Sequence, residues 1–157
     1  MIRGEVFVRY RYNELSLRQV AEGYSSNSTN LIIACIDKAV VRNFFKDWKW
    51  INIGLVVSEA LYKLPKEQRK KMVVDIVRNA IEKVHEDNIV LENIDILFFP
   101  EYSLDVVKTL QMVGKNKRLL VIWDGHCKNG VLTYSKPDYP DFHKYKIKDY
   151  GVYCITK

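Results

Sequence analysis

Short apolar runs alternate with helically spaced apolar positions along most of this chain. Leu31 to Cys35 are apolar without interruption, which is how a strand covered on both faces reads. Val40, Val41, Phe44 and Phe45 follow at the spacing of one helical face, and Trp50 to Ile53 predict a second short strand with Gly54 at its exit. Val57, Ala60, Leu61 and Leu64 stripe a helix closed by Pro65, and a longer stripe over 67–85 carries Val73, Ile76, Val77, Ala80, Ile81 and Val84. Ile89 to Leu91 predict a buried strand ending in Glu92-Asn93-Ile94-Asp95. Leu97-Phe98-Phe99 follow, and Pro100 breaks the segment. Ser103 is placed to cap a helix bearing Leu104, Val107 and Leu110, with Gly114 after it, and Leu119 to Trp123 predict the next strand. Asn129-Gly130 marks a two-residue hairpin between 123–128 and 131–134, residues 137–148 read as an ordered excursion, and Val152 to Ile155 as a last strand. Ahead of all this, 5–12 alternate as a strand does, although a short helix fits them too. Leu17, Val20, Ala21 and Tyr24 stripe a helix with a Ser16/Gln19 capping box and a Gly23 stop, and 25–30 form a polar connection.

Strands interleaved with helices predict a three-layer α/β domain with a mostly parallel sheet and a C-terminal β-hairpin, and 157 residues suit a single domain spanning 1–157. A hydrophobic content of 48% with only 4 prolines argues against a disordered chain. No apolar run reaches the length of a membrane span, and MIRGEVFVRY carries charges where a secretory signal needs apolar residues, so no membrane partner and a cytoplasmic location are expected. Cys35, Cys127 and Cys154 are odd in number and widely spaced, and are expected to be reduced, buried thiols. A zinc set of His126, Cys127, His143 and Cys154 would lack paired ligand spacing, and adjacent residues of an extended segment point to opposite faces. The net charge of +6 gathers at Lys63, Lys66, Arg69, Lys70 and Lys71 and at Lys115, Lys117 and Arg118. A solvated surface accounts for both clusters, and DNA contact through Lys66, Arg69, Lys70 and Lys71 is the functional alternative.

In parallel sheets ligands bind beyond the carboxyl ends of the strands, which places Asp37, Lys38, Glu92, Asp95 and Asp124 on one rim, with His126 at its margin. A nucleoside triphosphate site needs a phosphate cradle, a lysine, a carboxylate for Mg²⁺ and a polar group for the attacking water. Lys38 opens a helix directly after a strand, Glu92 ends a buried strand with Asp95 as its partner, and Asp124 ends another. The cradle is missing. Cys35-Ile36-Asp37-Lys38-Ala39 contains no glycine to let backbone N–H groups converge on an anion, and Ala39 offers no hydroxyl to Mg²⁺. Hydrolysis is therefore not expected. Lys38 also reads as a surface lysine, and Glu92 and Asp95 as turn carboxylates. GxSxG, HExxH, CxxC and GxGxxG are all absent, which leaves the common hydrolase, metalloprotease, redox and dinucleotide schemes without their residues. Tyr134, Tyr139 and Tyr145 with Lys144 and Lys146 suit either a packed aromatic corner or stacking on nucleic acid.

Four segments appear in a telling order: NIGLVVSEALYKLPKEQRKK (52–71), NIVLENIDILFFPEYSLDVVKTLQ (88–111), LLVIWDG (119–125) and LTYSKPDYPDFHKYKIKDYGVYCI (132–155). Together they resemble the BrxF family of small P-loop proteins from bacteriophage-exclusion (BREX) defence systems. The resemblance implies a P-loop-NTPase-like fold inside a multi-protein antiphage assembly, with a large ATPase and a methyltransferase among the partners and ATP and Mg²⁺ as cofactors. Family members carry a Walker A loop ahead of this region. Here Lys38 falls where the motif lysine belongs, Ala39 replaces the hydroxyl residue and Glu92 replaces the Walker B aspartate. The expectation is a non-catalytic or weakly nucleotide-binding subunit, with Asp37, Lys38, Glu92, Asp95 and Asp124 as the nucleotide-facing set.

Overall fold

Five of the apolar runs become strands of one sheet, whereas Leu97 and Phe98 fall in a 3₁₀ turn. In a computed structural model describing residues 31–156, β1 (Leu31–Cys35) leads into helix α1 (Lys38–Phe44) and β2 (Lys49–Asn52). Helices α2 (Ile53–Tyr62) and α3 (Lys66–Glu82) follow, then β3 (Asn88–Glu92), two 3₁₀ turns (Asp95–Phe98 and Pro100–Tyr102), helix α4 (Val106–Val113) and β4 (Arg118–Ile122). The chain closes with β5 (His126–Lys128), β6 (Val131–Tyr134), β7 (His143–Lys146), the single turn α5 (Ile147–Tyr150) and β8 (Tyr153–Thr156). The readings made for residues 1–30 lie outside the described residues. No helix among those described is long and apolar enough to cross a membrane.

Five strands form a wholly parallel sheet in the order β2-β3-β4-β1-β8. Both faces are buried, which is why the strands read as continuous apolar runs rather than alternating ones. Leu31, Ile33, Ile89, Leu91, Leu119 and Val121 pack with residues of α2, α3 and α4, whereas Ile32, Ala34, Val90, Leu120 and Ile122 pack with Val41 and Phe45 of the α1 segment. The crossover from β1 runs toward β2 on the α1 side, and the later crossovers run the opposite way on the opposite side. They therefore share one hand, as right-handed crossovers require. β1 and β4 are neighbours whose connections leave to opposite faces, so the carboxyl ends of these two strands form the topological switch point.

The C-terminal hairpin belongs to a second, antiparallel sheet of three strands, β5-β6-β7. Its tight turn is the one expected, with Asn129 (φ 54°) and Gly130 (φ 75°) both in the left-handed region that this hairpin turn demands. The third strand is carved from the excursion at 137–148, whose alternation HKYK sends Tyr145 inward and leaves Lys144 and Lys146 exposed. The two sheets meet through aromatic rings. Phe98 stacks on Tyr134 (centroids 3.7 Å, planes 5° apart) and meets Trp123 edge-on at 5.2 Å, and the Trp123 indole donates to the Thr133 carbonyl at 2.9 Å. Tyr145 is packed in the same corner, its hydroxyl accepting from the Val106 N–H at 3.0 Å.

One local expectation fails. Ser103 does not cap the fourth helix; it ends the second 3₁₀ turn with φ 50°. Asp105 takes the cap, its Oδ1 accepting from the Lys108 N–H at 3.0 Å while Oδ2 accepts from the Tyr150 hydroxyl at 2.7 Å. Either residue type can cap a helix, and the contact with Tyr150 exists only once the C-terminal segment has folded back.

Candidate functional site

The rim expected from topology divides into separate groups, and sheet parity explains the division. Glu92 lies two residues beyond Val90 on β3 and so shares its face, the α1 side. There its carboxylate forms an ion pair with the Lys38 ammonium and lies 3.8 Å from the Arg42 guanidinium, which also stacks over Trp50 at 4.3 Å. The Glu92 side chain is only 14% exposed, so the two cations neutralise a carboxylate that water reaches poorly. Only Ile36 and Asp37 separate β1 from α1, and Asp37 is the N-cap, its Oδ1 accepting from the Ala39 N–H at 3.2 Å. Thus Lys38 meets Glu92, while Ile36 and Asp37 make a strand-to-helix connection too short to wrap around a phosphate chain.

Asp95 and Asp124 form a second group, facing the antiparallel sheet. Asp124 and the Tyr134 hydroxyl both act on the Asp95 carboxyl. Partial burial, and next the charge of Asp124, raise the Asp95 carboxyl above its ordinary value. Burial, reinforced by the Asp95 charge, likewise raises the Tyr134 phenol. Close by, Asp141 accepts from the Ser135 hydroxyl at 2.6 Å, and its backbone carbonyl lies 2.8 Å from His143 Nδ1. Asp95 is therefore partnered by Asp124 and Tyr134, while Lys38 and Arg42 hold Glu92.

The basic helix start is exposed at Lys66, Lys70 and Lys71. Arg69 is partly buried and donates through Nε to the Leu64 carbonyl at 3.2 Å, closing the end of α2. Of the tyrosine group, Tyr134 and Tyr145 are committed to the corner described above, and only Tyr139 stands out at 55% exposure, under the Lys136 ammonium at 5.9 Å.

A third group includes His126 and Cys127 of the zinc set weighed from the sequence. A cavity of about 630 Å³ opens where the β5–β6 hairpin leans over the carboxyl ends of β1 and β8. It is lined by Cys35 and Thr156 from those ends and by His126, Cys127, Lys128 and Thr133 from the hairpin, with none of Asp37, Lys38, Glu92, Asp95 or Asp124 among its walls. Here Cys35 and Cys127 share a wall. Cys35 pairs in register with Thr156, and Cys154 lies beside Ile33. All three are free thiols. Burial, and next the sulfur of Cys127, disfavour ionisation of Cys35. His143 of the zinc set lies instead against Phe98, ring centroids 4.9 Å apart, and no group of three or more His, Cys, Asp or Glu among the described residues is arranged to hold a metal.

Compared with known proteins, the chain matches no family model, no curated protein and no solved structure.

Proposed function

We propose that this chain is a P-loop-like subunit that works without hydrolysing nucleotide, as an adaptor in a BREX-type antiphage assembly. The observation that carries the reading is the Lys38–Glu92 ion pair. A lysine following β1 meets a carboxylate ending β3 across the end of β4, which delivers Asp124, so three adjacent strands supply the positions that a P-loop site fills with its lysine, Mg²⁺-binding carboxylate and water-positioning group. The glycine-free connection of Ile36 and Asp37 removes the cradle while leaving this frame, and the ordered resemblance over 52–155 supplies the assembly. In this reading the protein's partners are the large ATPase and the methyltransferase of the system. Affinity-tagged protein expressed with the genes beside its own should retain at least one of these components through a salt wash, and recovery of the bare chain would count against the adaptor role.

The same ion pair favours a second reading, in which ATP with Mg²⁺ displaces Glu92 from Lys38 and binds weakly, with hydrolysis completed by a partner. Calorimetric titration with Mg²⁺-ATP separates the two. The adaptor reading expects no saturable heat up to millimolar nucleotide. Binding that Lys38→Ala abolishes would replace it with the second reading.

A further inference from the structure

The antiparallel sheet has a buried face and an open one, and its register sorts the charges between them. Cys127, Leu132 and Tyr145 lie side by side across the three strands and pack against the core. The alternate residues form two rows on the other face, one of His126, Thr133 and Lys144 and one of Lys128, Val131 and Lys146. These positions hold three lysines, a histidine and no carboxylate. Lys128, Lys144 and Lys146 are exposed and form no ion pair among the described residues, whereas Lys38, Arg42, Arg78 and Lys117 each lie against a carboxylate. Strand geometry fixes the layout, with Lys128 and Lys146 two strands apart, about 10 Å, and Lys144 and Lys146 two residues apart, about 7 Å. His126, Lys128, Val131 and Thr133 also form the hairpin wall of the cavity, so the face is open there among the described residues. The basic start of α3 is built differently: Glu67 is interleaved with its lysines, and Arg69 is tied to the Leu64 carbonyl.

We propose that the outer face of the antiparallel sheet binds the phosphate backbone of duplex DNA through Lys128, Lys144 and Lys146, without reading its sequence. This inference is independent of the adaptor reading. Like charges gathered on one side of a sheet repel one another, and phosphates spaced along a backbone relieve that repulsion at several points at once. The platform behind them is fixed. Tyr145 accepts from the Val106 N–H at 3.0 Å, and the Trp123 indole donates to the Thr133 carbonyl at 2.9 Å, so the lysines project from strands anchored to the core. A single strand would need exposed rings for its bases to stack on, but Tyr134 stacks on the buried Phe98, Tyr145 is itself buried, and Tyr139 lies outside the three strands. Neither row contains an arginine, asparagine or glutamine to grip a base edge with two hydrogen bonds, and the lysines act as point charges on phosphate. Backbone contact without base contact follows.

The test is fluorescence anisotropy of the whole protein with a labelled duplex of about 20 base pairs, titrated between about 50 and 200 mM salt. Three phosphate contacts give an expected slope of about −2.7 in log affinity against log salt, a loss of about 40-fold across that range. Lys128→Gln, Lys144→Gln and Lys146→Gln should each weaken binding and bring the slope about 0.9 closer to zero. All three glutamines together should abolish binding, three arginines at the same positions should retain it, and a duplex of unrelated sequence should bind the parent equally well. Lys66→Gln, Lys70→Gln and Lys71→Gln combined should leave the slope as it is in the parent. No binding at the lowest salt would overturn the proposal and leave the lysines as guards that keep two edge strands from pairing with other chains. An unchanged slope in the triple glutamine variant, loss of binding in the α3 variant alone, or tighter binding of a single strand of equal length would each overturn it as well. The three side chains are exposed, and a far-ultraviolet dichroism spectrum matching the parent's qualifies each variant for the comparison.

Discussion

Phe98→Ala should cost about 4 kcal/mol, and the size of that loss tests whether the two sheets form one cooperative unit. Phe98 is 1% exposed and touches the antiparallel sheet through Tyr134 and His143 and the parallel one through Trp123. Removing the ring forfeits roughly 2 kcal/mol of burial, and a residual void of about 80 Å³ adds about 2 kcal/mol more. Loss of the stacked and edge-on partners brings about a further 1 kcal/mol if the site does not collapse. For a domain of this size that is a fall of roughly 8–16 °C in melting temperature, or about 2 M in the urea midpoint. Phe99→Ala is the internal control. Phe99 is 45% exposed and, among the described residues, stacks on Tyr102 alone, at 5.8 Å, so its loss should stay below about 1 kcal/mol. Urea unfolding followed by far-ultraviolet dichroism and tryptophan emission reads both variants. Equal losses, or a Phe98→Ala loss under about 1.5 kcal/mol, would refute the account of Phe98 as the pin between the sheets. A normal midpoint with a reduced slope would mean that the antiparallel sheet opens on its own.

Gly125→Ala should destabilise by more than about 2 kcal/mol in the same urea assay, because a Cβ there would meet the Thr133 carbonyl oxygen at 1.9 Å and Trp123 Nε1 at 2.6 Å; a neutral result would mean that the hairpin does not sit as described. Asp95 has a raised folded value, so the folded state binds the extra proton and its contribution to stability, complete below the unfolded carboxylate range, is lost as pH rises through the folded value. Asp95→Asn, which can still accept from Tyr134, should therefore melt higher than the parent near neutral pH and lack the parent's decline above the ordinary carboxylate range; parallel melting curves for the two across pH would refute the carboxyl pairing. Asp105→Ala removes the cap of α4 and the anchor of Tyr150 together, and should lose about 1–2 kcal/mol against a few tenths for Ser103→Ala, measured by thermal unfolding.

The strands β1, β3, β4 and β8 were readable because burial on both faces leaves uninterrupted apolar runs, and the β5–β6 turn because Asn-Gly has few other uses. β7 was harder, since only Tyr145 of its four residues is buried and the rest read as a charged loop. The rim carboxylates were legible one by one, but their grouping was not. Whether Glu92 meets Lys38 or Asp95 depends on which face of β3 it occupies, and that follows only once Val90 is known to lie on the α1 side. The cavity lay furthest out of reach. Cys35 and Cys127 share its wall because β8 inserts beside β1 and the hairpin folds back over both, and local spacing carries no trace of that register.

β1 is the first described strand, yet β4 and β8, the two strands that flank it, are the last to join the parallel sheet. Leu31 to Cys35 therefore leave the ribosome as an unpaired apolar strand and wait for almost the whole described chain to follow before Tyr153–Thr156 cover their second side. Assembly of this sheet is governed by long-range closure, which is slow and leaves a strand edge open in the interval. Its completion rests on β8, so a message that stops shortly before Tyr153 would keep helices α1 to α5 and leave β1 bare on one side.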